Sequence, residues 1–291
     1  MHALGLTTGG PLDPEAFRWT NRLLGNSASA TAIEVSFGGL ELEAQVDTHF
    51  CVCGADMDLS VDNQAKPLWA SHAINAGSTI KLGYSSGACR SYLGVHGGFE
   101  VKPMFGSTST VVRESLGGLS GNKLTAGDLL PCEVYRDPRR FYLPPEAQPH
   151  YSHDVTLRVI PGYQQRYFTR YQQQRFFGHS YTVSDRCDRM GYRLEGPAIS
   201  CEIEGILSEG ICLGAVQIPA DGQPIVLMND RQTIGGYPKI GSALSLDLAR
   251  LAQLMPGSTV HFAPITPHAA HNALHLAEYR FRYQTVAETR Q

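Results

Sequence analysis

The sequence has little charge, and its charges are not gathered in the way that nucleic-acid or membrane-surface binding needs. Only 18% of the 291 residues are charged, and the formal net charge is −3. No basic patch suited to phosphate backbones or anionic lipids occurs. No apolar run approaches the roughly 20 residues of a membrane-spanning helix. These shortages exclude nucleic acid and membrane as expected partners and favour a globular protein.

Signs of secretion are also missing. The first ten residues have neither the basic region nor the apolar core of a signal peptide. The seven cysteines are odd in number and irregularly spaced, whereas a secreted disulfide framework would be even and denser. We therefore expect reduced thiols and a cytoplasmic location.

The sequence lacks a nucleotide motif of its own. Residues 117–123 are rich in glycine, but a P-loop needs Gly-Lys-Ser/Thr in succession, and Asn122 separates Gly121 from Lys123. There is also no Met-Lys-Met biotinylation site. We expect no ATP-binding loop and no biotin site in this chain.

Metal-ligating residues are present only in incomplete sets. His268, His271 and His275 share one face of a predicted helix, but no acidic residue completes a site locally. Cys51 and Cys53 point to the same side of a predicted strand, and two ligands do not make a zinc site. We interpret the histidines as a solvated face and the cysteines as buried small side chains, and we predict no metal.

Glycine and proline are abundant instead. Thirty glycines and 17 prolines favour short strands joined by tight turns. Helix is expected only at about 14–24, where Asp13 is a good N-cap, at about 246–255, and in the C-terminal stretch from residue 267 to about 283. The fold class is therefore all-β, and barrels are the expected form because closure removes exposed edges.

A polar, proline-rich and aperiodic segment divides the sequence. Residues 136–152 have the composition of an interdomain linker. We predict an N-terminal β domain over 1–135 and a C-terminal β domain over 153–291.

Two polar features of the N-terminal half are candidate site material. Arg90 and Tyr92 share one face of a predicted strand, and a buried unpaired guanidinium would cost several kcal/mol. That face must meet solvent, a ligand or an acidic partner, for which Asp56 and Glu34 are the candidates. The hydroxyl-rich stretch 106–110 with its following Arg113 fits a carboxylate or phosphate cradle as well as an exposed loop. We hypothesise that face and loop form one pocket for an anionic substrate.

The C-terminal half has two comparable segments. Arg186, Arg189 and Arg193 flank Met190-Gly191-Tyr192 in a chain that is otherwise poor in charge. Residues 230–238 pack donors, acceptors and two glycines together, which is poor core material and favours a site.

These segments carry a resemblance to a known family. The sequence resembles the C-subunit family of 5-oxoprolinase, also described as allophanate hydrolase subunit 2, biotin-dependent carboxyltransferase-like, and antagonist of a sporulation-kinase inhibitor. The similar blocks follow one another in order from about Gly9 to Phe262: residues 9–14, 54–56, 90–98, 106–110, 188–196, 214–219, 221–228 and 230–240.

The resemblance implies two cyclophilin-like β-barrels and an ATP-dependent complex that hydrolyses 5-oxo-L-proline to L-glutamate. It implies that the B subunit of 5-oxoprolinase is the direct partner and that the A subunit is the third chain. ATP would be bound with or by these partners, and this chain would be inactive alone. The family's opening strand and Gln-Asp-x-Gly-Arg turn have no counterpart before His2. Either the strand is lost or the true start lies upstream of Met1.

Roles follow for residues in the similar blocks and beside them. We expect Arg90, Arg113, Arg186 and Arg189 to contact anions and Ser107, Thr108, Ser109 and Thr110 to supply hydrogen bonds. Asp56, Glu34 and Asp230 are the candidate catalytic carboxylates, and Tyr92, Gln217, Gln232 and Tyr237 are expected to shape the substrate pocket.

Two other functions remain open at this stage. One is a carboxyltransferase-like subunit that acts on urea or allophanate-type amides with biotin carried on another protein. The other is a non-catalytic antagonist of a kinase inhibitor.

Overall fold

A computed structural model describes residues 5–203 and 205–290 of the chain, and its fold is mainly β. The described residues divide into two compact units. The N-terminal unit comprises residues 13–151 with 283–290, and the C-terminal unit comprises residues 5–12 with 152–282. The all-β class is confirmed. The domain boundaries at 135 and 153 stay a prediction.

The N-terminal unit begins with helix α1 (Pro14–Leu23). The carboxylate of Asp13 caps it, since Oδ1 accepts the backbone N–H groups of Glu15 and Ala16 at 3.1 Å each. Pro14 fits the first turn, where no backbone N–H is needed. The helix buries Ala16, Trp19 and Leu23, and its predicted position near 14–24 is confirmed.

Nine strands follow in this unit, and a tenth comes from the C-terminus. They are β1 (Ile33–Ser36), β2 (Leu40–Glu43), β3 (Thr48–Gly54), β4 (Leu59–Val61), β5 (Gln64–Ala65), β6 (Ser71–Ile74), β7 (Thr79–Leu82), β8 (Arg90–Val95), β9 (Arg139–Tyr142) and β19 (Ala287–Arg290). Eight of them form two four-stranded sheets, in the orders β1-β8-β3-β6 and β2-β7-β4-β5. One core takes side chains from both sheets, among them Phe50, Leu93 and Leu82. A single closed barrel was predicted here, and the hydrogen-bonded strands divide between two sheets instead.

Part of the predicted linker is a strand. β9 pairs antiparallel with β19, from Ala287 opposite Tyr142 to Arg290 opposite Arg139. The sequence of β9 has no apolar alternation. It forms a strand because the backbone N–H and C=O groups of β19 pair with its own backbone, whatever its side chains are. The pairing ties residues 287–290 to the N-terminal unit.

The C-terminal unit is built on a closed seven-stranded barrel in the order β10-β17-β14-β15-β12-β11-β18. Its strands are β10 (Asp154–Pro161), β11 (Ser180–Cys187), β12 (Gly191–Glu195), β14 (Ala215–Gln217), β15 (Ile225–Leu227), β17 (Lys239–Ala243) and β18 (Thr259–Pro264). β13 (Glu209–Gly210) and β16 (Ile234–Gly235) pair outside it. β10 and β18 run parallel, and the other pairs run antiparallel. The predicted barrel is confirmed for this unit.

Three helices accompany the barrel: α2 (Arg170–Gly178), α3 (Ser245–Leu251) and α4 (Pro267–Tyr283). α3 and α4 lie where helix was predicted, although α3 ends earlier than residue 255. The expectation of no further helix was wrong, because α2 forms from a polar stretch in which only Phe176 is buried. Its start signal is Thr169, whose Oγ1 accepts the backbone N–H of Gln172 at 3.3 Å.

All seven cysteines are free thiols. Cys51 and Cys53 are buried with their Sγ atoms 3.6 Å apart, as neighbours on one side of β3. No helix among the described residues is long and apolar enough to cross a membrane. In the part of the chain that the structure describes, no cluster of three or more metal-ligating side chains occurs. The predicted cytoplasmic location stays a prediction.

Candidate functional site

A pocket of about 280 Å³ opens at the barrel strands β12, β14 and β15 of the C-terminal unit. It combines charged, amide and apolar side chains. Its lining residues are Arg186, Asp188, Met190, Gly191, Arg193, Ile211, Gln217, Ile225, Leu227, Arg231, Gln232 and Tyr237. Four of the predicted site residues meet here: Arg186, Gln217, Gln232 and Tyr237. A concave site with apolar walls and a few converging polar groups is typical of small-molecule binding.

The first arginine, Arg186, lies near the end of β11, just before the turn to β12. Oδ1 of Asp188 accepts the backbone N–H groups of Met190 at 2.8 Å and Gly191 at 3.2 Å, which closes the turn locally. The side chain of Arg186 is exposed, and among the described residues no carboxylate forms an ion pair with it. Its guanidinium is therefore available to an anionic ligand.

Two further guanidiniums line the same pocket. Arg193 lies on β12 and binds the carboxylate of Asp221 at 2.8 Å. Arg231 is 5% exposed, and it donates to the carbonyl oxygens of Ile211 at 3.2 Å and Met228 at 3.3 Å. Burial lowers the pKa of Arg231, but a guanidinium keeps its charge at neutral pH.

The charge of the lining is thus positive, with three guanidiniums against the single carboxylate of Asp188. Sequence reasoning did not select Arg231 as a site residue. Its only sequence signal is its place inside the polar segment 230–238.

The amide and phenol groups differ in depth. Gln217 lies on β14 and is 5% exposed, whereas Gln232 and Tyr237 are exposed. Gln217 therefore reaches the pocket from the barrel wall, and the other two reach it from loops after β15.

Arg189 and Asp230 form an ion pair that holds a neighbouring segment. Arg189 binds Asp230 through two hydrogen bonds, Nε to Oδ2 at 2.8 Å and Nη2 to Oδ1 at 3.1 Å. Nη2 of Arg189 also donates to the carbonyl oxygen of Gly10 at 2.7 Å. The amide of Asn229 donates to the carbonyl oxygens of Gly9 at 3.1 Å and Pro11 at 2.9 Å. Arg189, held by Asp230, thus anchors the Gly9–Pro11 segment together with Asn229. Neither charged group lines the pocket.

The predicted residues of β8 lie in a buried network of the N-terminal unit. The hydroxyl of Tyr92 donates to Oε2 of Glu34 at 2.7 Å, and Nε of Arg90 lies 3.8 Å from Oε1 of Glu34. Tyr92 is 1% exposed and Arg90 5%. Burial raises the pKa of Tyr92 well above its usual value, with the negative charge of Glu34 adding to the effect, so the phenol stays a donor. Of the two predicted acidic partners for Arg90, Glu34 is the one beside it. The other, Asp56, is exposed.

The hydroxyl-rich stretch is a loop with local hydrogen bonds. Oγ of Ser107 lies 2.9 Å from Oγ of Ser109, and the hydroxyl of Thr31 bonds that of Thr108 at 2.9 Å. Thr110 follows partly buried, and Arg113 is exposed in a single turn of 3₁₀ helix at residues 112–114. The hypothesis that Arg90, Tyr92 and this loop form a single pocket stays a prediction. In the structure, Arg90 and Tyr92 belong to the buried network with Glu34.

The histidines predicted to form a solvated face lie on α4. His268, His271 and His275 are all exposed, and the Nε2 atoms of His271 and His275 lie 2.8 Å apart. That distance fits a hydrogen bond between the two rings.

The chain has relatives of known description. Residues 4–264 match the family described as "Carboxyltransferase domain, subdomain A and B". The chain is 36% identical over 261 residues to the C subunit of 5-oxoprolinase from Escherichia coli K12, covering 89% of this chain and 83% of that one. It is 37% identical over 272 residues to the C subunit of 5-oxoprolinase from Haemophilus influenzae, covering 91% and 85%.

A solved structure has the same fold. The chain superimposes on the urea amidolyase of K. lactis with a TM-score of 0.89 and 23% identity over 97% of its length. It spans only 18% of that much longer chain. The predicted resemblance is confirmed: this chain belongs to the carboxyltransferase-domain family of subdomains A and B, together with the 5-oxoprolinase C subunits.

Proposed function

We propose that this chain is one component of an ATP-dependent complex that hydrolyses 5-oxo-L-proline to L-glutamate. The observation that carries the proposal is the pocket beside β12 and β14, which three guanidiniums and two carboxamides line together with apolar side chains. 5-Oxoproline is a small molecule with one carboxylate and one amide. The guanidiniums suit its carboxylate and the carboxamides suit its amide group. The identity to two 5-oxoprolinase C subunits supports the same choice.

The reaction asks for activation before hydrolysis. A lactam carbonyl is a poor electrophile, and phosphorylation of its oxygen by ATP, which releases ADP, makes its carbon open to attack by water. Cleavage of the ring C–N bond then frees the amine of glutamate, and hydrolysis of the resulting acyl phosphate releases phosphate. The tetrahedral intermediate then needs positive charge and hydrogen-bond donors held in place. Under this proposal the arginines of the pocket hold the substrate carboxylate and fix the position of the ring.

Nucleotide binding and part of the chemistry belong to partners under this proposal. The relatives are named as C subunits, which supports a complex of several chains. We propose a protein like the 5-oxoprolinase B subunit as the direct partner and one like the A subunit as the third chain. ATP is bound with or by these partners, and the isolated chain is inactive.

A second function has its own support. The fold covers 97% of this chain in the superposition on a urea amidolyase. A pocket that accepts a cyclic amide also has room for urea, which is smaller. The second candidate is therefore a carboxyltransferase-like subunit that takes urea or an allophanate-type amide, with biotin supplied on another protein.

The test is reconstitution. The chain is purified with the two proposed partners from its source, one like the B subunit and one like the A subunit. Formation of L-glutamate and ADP from 5-oxo-L-proline and ATP is then measured. We expect turnover only when all three proteins are present. Each protein alone and each pair of proteins serve as controls. In a parallel series, urea replaces 5-oxoproline.

The outcomes separate the two candidates. Turnover by the isolated chain would contradict the dependence on partners. ATP hydrolysis that depends on urea and on a biotinylated protein, without glutamate from 5-oxoproline, would overturn the first proposal in favour of the second.

A further inference from the structure

Gln217 is a buried polar residue whose side chain makes no hydrogen bond to the residues that the structure describes. Its backbone is fixed in the barrel, because β14 pairs it with Ile225 of β15 and Lys239 of β17. The residue is 5% exposed and lines the pocket. Within residues 5–203 and 205–290, no hydrogen bond is made by its side-chain carboxamide. A carboxamide has two donors and an acceptor to satisfy.

Such a group is costly unless something outside the chain binds it. Buried polar groups in folded proteins are nearly always hydrogen-bonded to protein, to water or to a ligand. The nearest pocket walls are apolar, with Ile211, Ile225 and Leu227 among them. The carboxamide is therefore a buried polar group beside apolar walls, where pairing with a ligand gains strength from the low dielectric.

The backbone opposite this group lacks a side chain, and the space is needed. A Cβ at Gly235 would lie 2.3 Å from Cδ1 of Ile211 and 3.0 Å from Nε2 of Gln217. Any larger residue at 235 would force Ile211 and the carboxamide to move. Glycine at this position keeps the amide edge of Gln217 in its place.

We propose that Gln217 recognises the reacting amide of the substrate through a cis N–H and C=O edge. This inference rests on the proposed function, since it names the residue that selects a five-membered cyclic amide in that pocket. In such a ring the N–H and C=O groups are held on the same side. A primary carboxamide presents one N–H donor beside its oxygen acceptor, so the two edges pair through two parallel hydrogen bonds.

The same geometry predicts selectivity against peptides. Open-chain secondary amides are trans, so their N–H and C=O groups point in opposite directions and cannot both reach one carboxamide. A cyclic amide or a cyclic urea presents both groups together. The exposed guanidinium of Arg186 is then free to take the carboxylate that distinguishes 5-oxoproline from a plain lactam.

The experiment compares ligands that differ from 5-oxo-L-proline either in the amide edge or in the carboxylate. In the reconstituted complex, KM is measured for 5-oxo-L-proline, and inhibition constants are measured for 2-pyrrolidinone and for N-methyl-5-oxoproline. We expect the parent to bind the N-methyl compound about 10-fold or more weakly than 5-oxoproline, because methylation removes the donor of the edge. The Q217L variant keeps the volume but loses both hydrogen-bonding groups. We expect its KM for 5-oxoproline to rise about 10- to 100-fold, and its discrimination against the N-methyl compound to fall to near unity.

A matched control is available on α2. Gln174 is exposed, and Q174L should leave KM and discrimination unchanged. Loss of discrimination is a readout that mere destabilisation would not produce, because a poorly folded variant loses turnover with every ligand equally. A Q217L complex that still separates 5-oxoproline from its N-methyl derivative by the parental factor would overturn the inference.

A binding arm separates this inference from the proposed function. Ligand-observed NMR on the full chain, with 5-oxo-L-proline and with the cyclic urea 2-imidazolidinone as probes, reports binding without turnover. Binding of either probe that Q217L weakens supports the role of Gln217, even if the complex does not hydrolyse 5-oxoproline. Turnover of 5-oxoproline with unchanged KM in Q217L supports the proposed function and overturns the role of Gln217.

Discussion

The hydroxyl of Tyr92 donates a hydrogen bond of 2.7 Å to Oε2 of Glu34. The same hydroxyl oxygen accepts the backbone N–H of Asp13 at 2.8 Å. Tyr92 therefore joins the start of α1 to β1 and β8 through one buried atom. Both partners are groups that need a hydrogen bond once they are removed from water.

Tyr92→Phe should therefore lower stability. The variant removes one oxygen and leaves the Asp13 N–H and the Glu34 carboxylate without that contact, at an expected cost of about 1–3 kcal/mol in the free energy of unfolding. Urea denaturation of the purified chain measures it. Tyr84→Phe is the control, since Tyr84 is 77% exposed, and it should change stability by less than about 0.5 kcal/mol. Equal stabilities of the two variants would contradict the network.

Substitutions of Asp13 separate its two roles. Oδ1 caps α1, while Oδ2 accepts the hydroxyl of Tyr151 at 2.8 Å. Asp13→Asn can keep the cap, because asparagine is as good an N-cap as aspartate, but it loses the acceptor for Tyr151. Asp13→Ala loses both.

We expect Asp13→Ala to be less stable than Asp13→Asn by about 1 kcal/mol, the usual contribution of an N-cap. Thermal and chemical denaturation of the two variants measure the difference. A ranking with Asp13→Asn below Asp13→Ala would show that the cap contributes little here.

The stability of the N-terminal unit should depend on pH through His49. Burial, helped by the positive charge of Arg140, lowers the pKa of His49 to about 4. An unfolded histidine has a pKa of about 6.5. The neutral ring is thus favoured in the fold, and its stabilising contribution is complete above pH 6.5 and is lost as the pH falls towards 4. The slope is at most about 1.4 kcal/mol per pH unit for one proton.

The check is a difference between two proteins. His49 packs edge-on against Tyr135 with ring centroids 4.8 Å apart, so His49→Phe keeps an aromatic ring and removes the titration. Free energies of unfolding are measured at pH 7.5, 6 and 5. The parent should lose stability relative to His49→Phe only below about pH 6.5. Parallel curves at all three pH values would rule out this assignment.

Arg186→Ala should weaken substrate binding without weakening the fold. Its guanidinium is exposed at the pocket, so truncation removes a charge-assisted contact to the carboxylate of 5-oxoproline. Loss of such a contact corresponds to about 1.5–3 kcal/mol, or roughly a 10- to 100-fold rise in KM. The melting temperature should stay within about 1–2 °C of the parent.

Arg250→Ala is the matched control, because Arg250 is an exposed arginine on α3 outside the pocket. Both variants are assayed in the reconstituted complex, with 2-pyrrolidinone as a ligand that lacks the carboxylate. Arg186→Ala should leave its inhibition constant unchanged. If Arg186→Ala weakened the binding of 2-pyrrolidinone as much as that of 5-oxoproline, Arg186 would contact a part of the ligand other than the carboxylate.

Local sequence signals were sufficient for several elements. Asp13 and Pro14 predicted the start of α1 because capping depends on neighbouring residues only. The alternation of β8 likewise needed no distant partner to be recognised.

The tertiary structure decided the features that depend on distant partners. β9 has no pattern of its own and exists because β19, almost 150 residues later, supplies its hydrogen bonds. Arg189 and Arg231 look alike in sequence, yet one binds Asp230 and the carbonyl of Gly10 while the other lines the pocket. Only the closed barrel sets the depth of Gln217, because strand pairing fixes which side chain turns inward. By itself the sequence determined the residue types, the turns and the family. Folding pairs most polar groups with partners inside the protein, and the polar groups that it leaves unpaired are the ones that can bind a ligand.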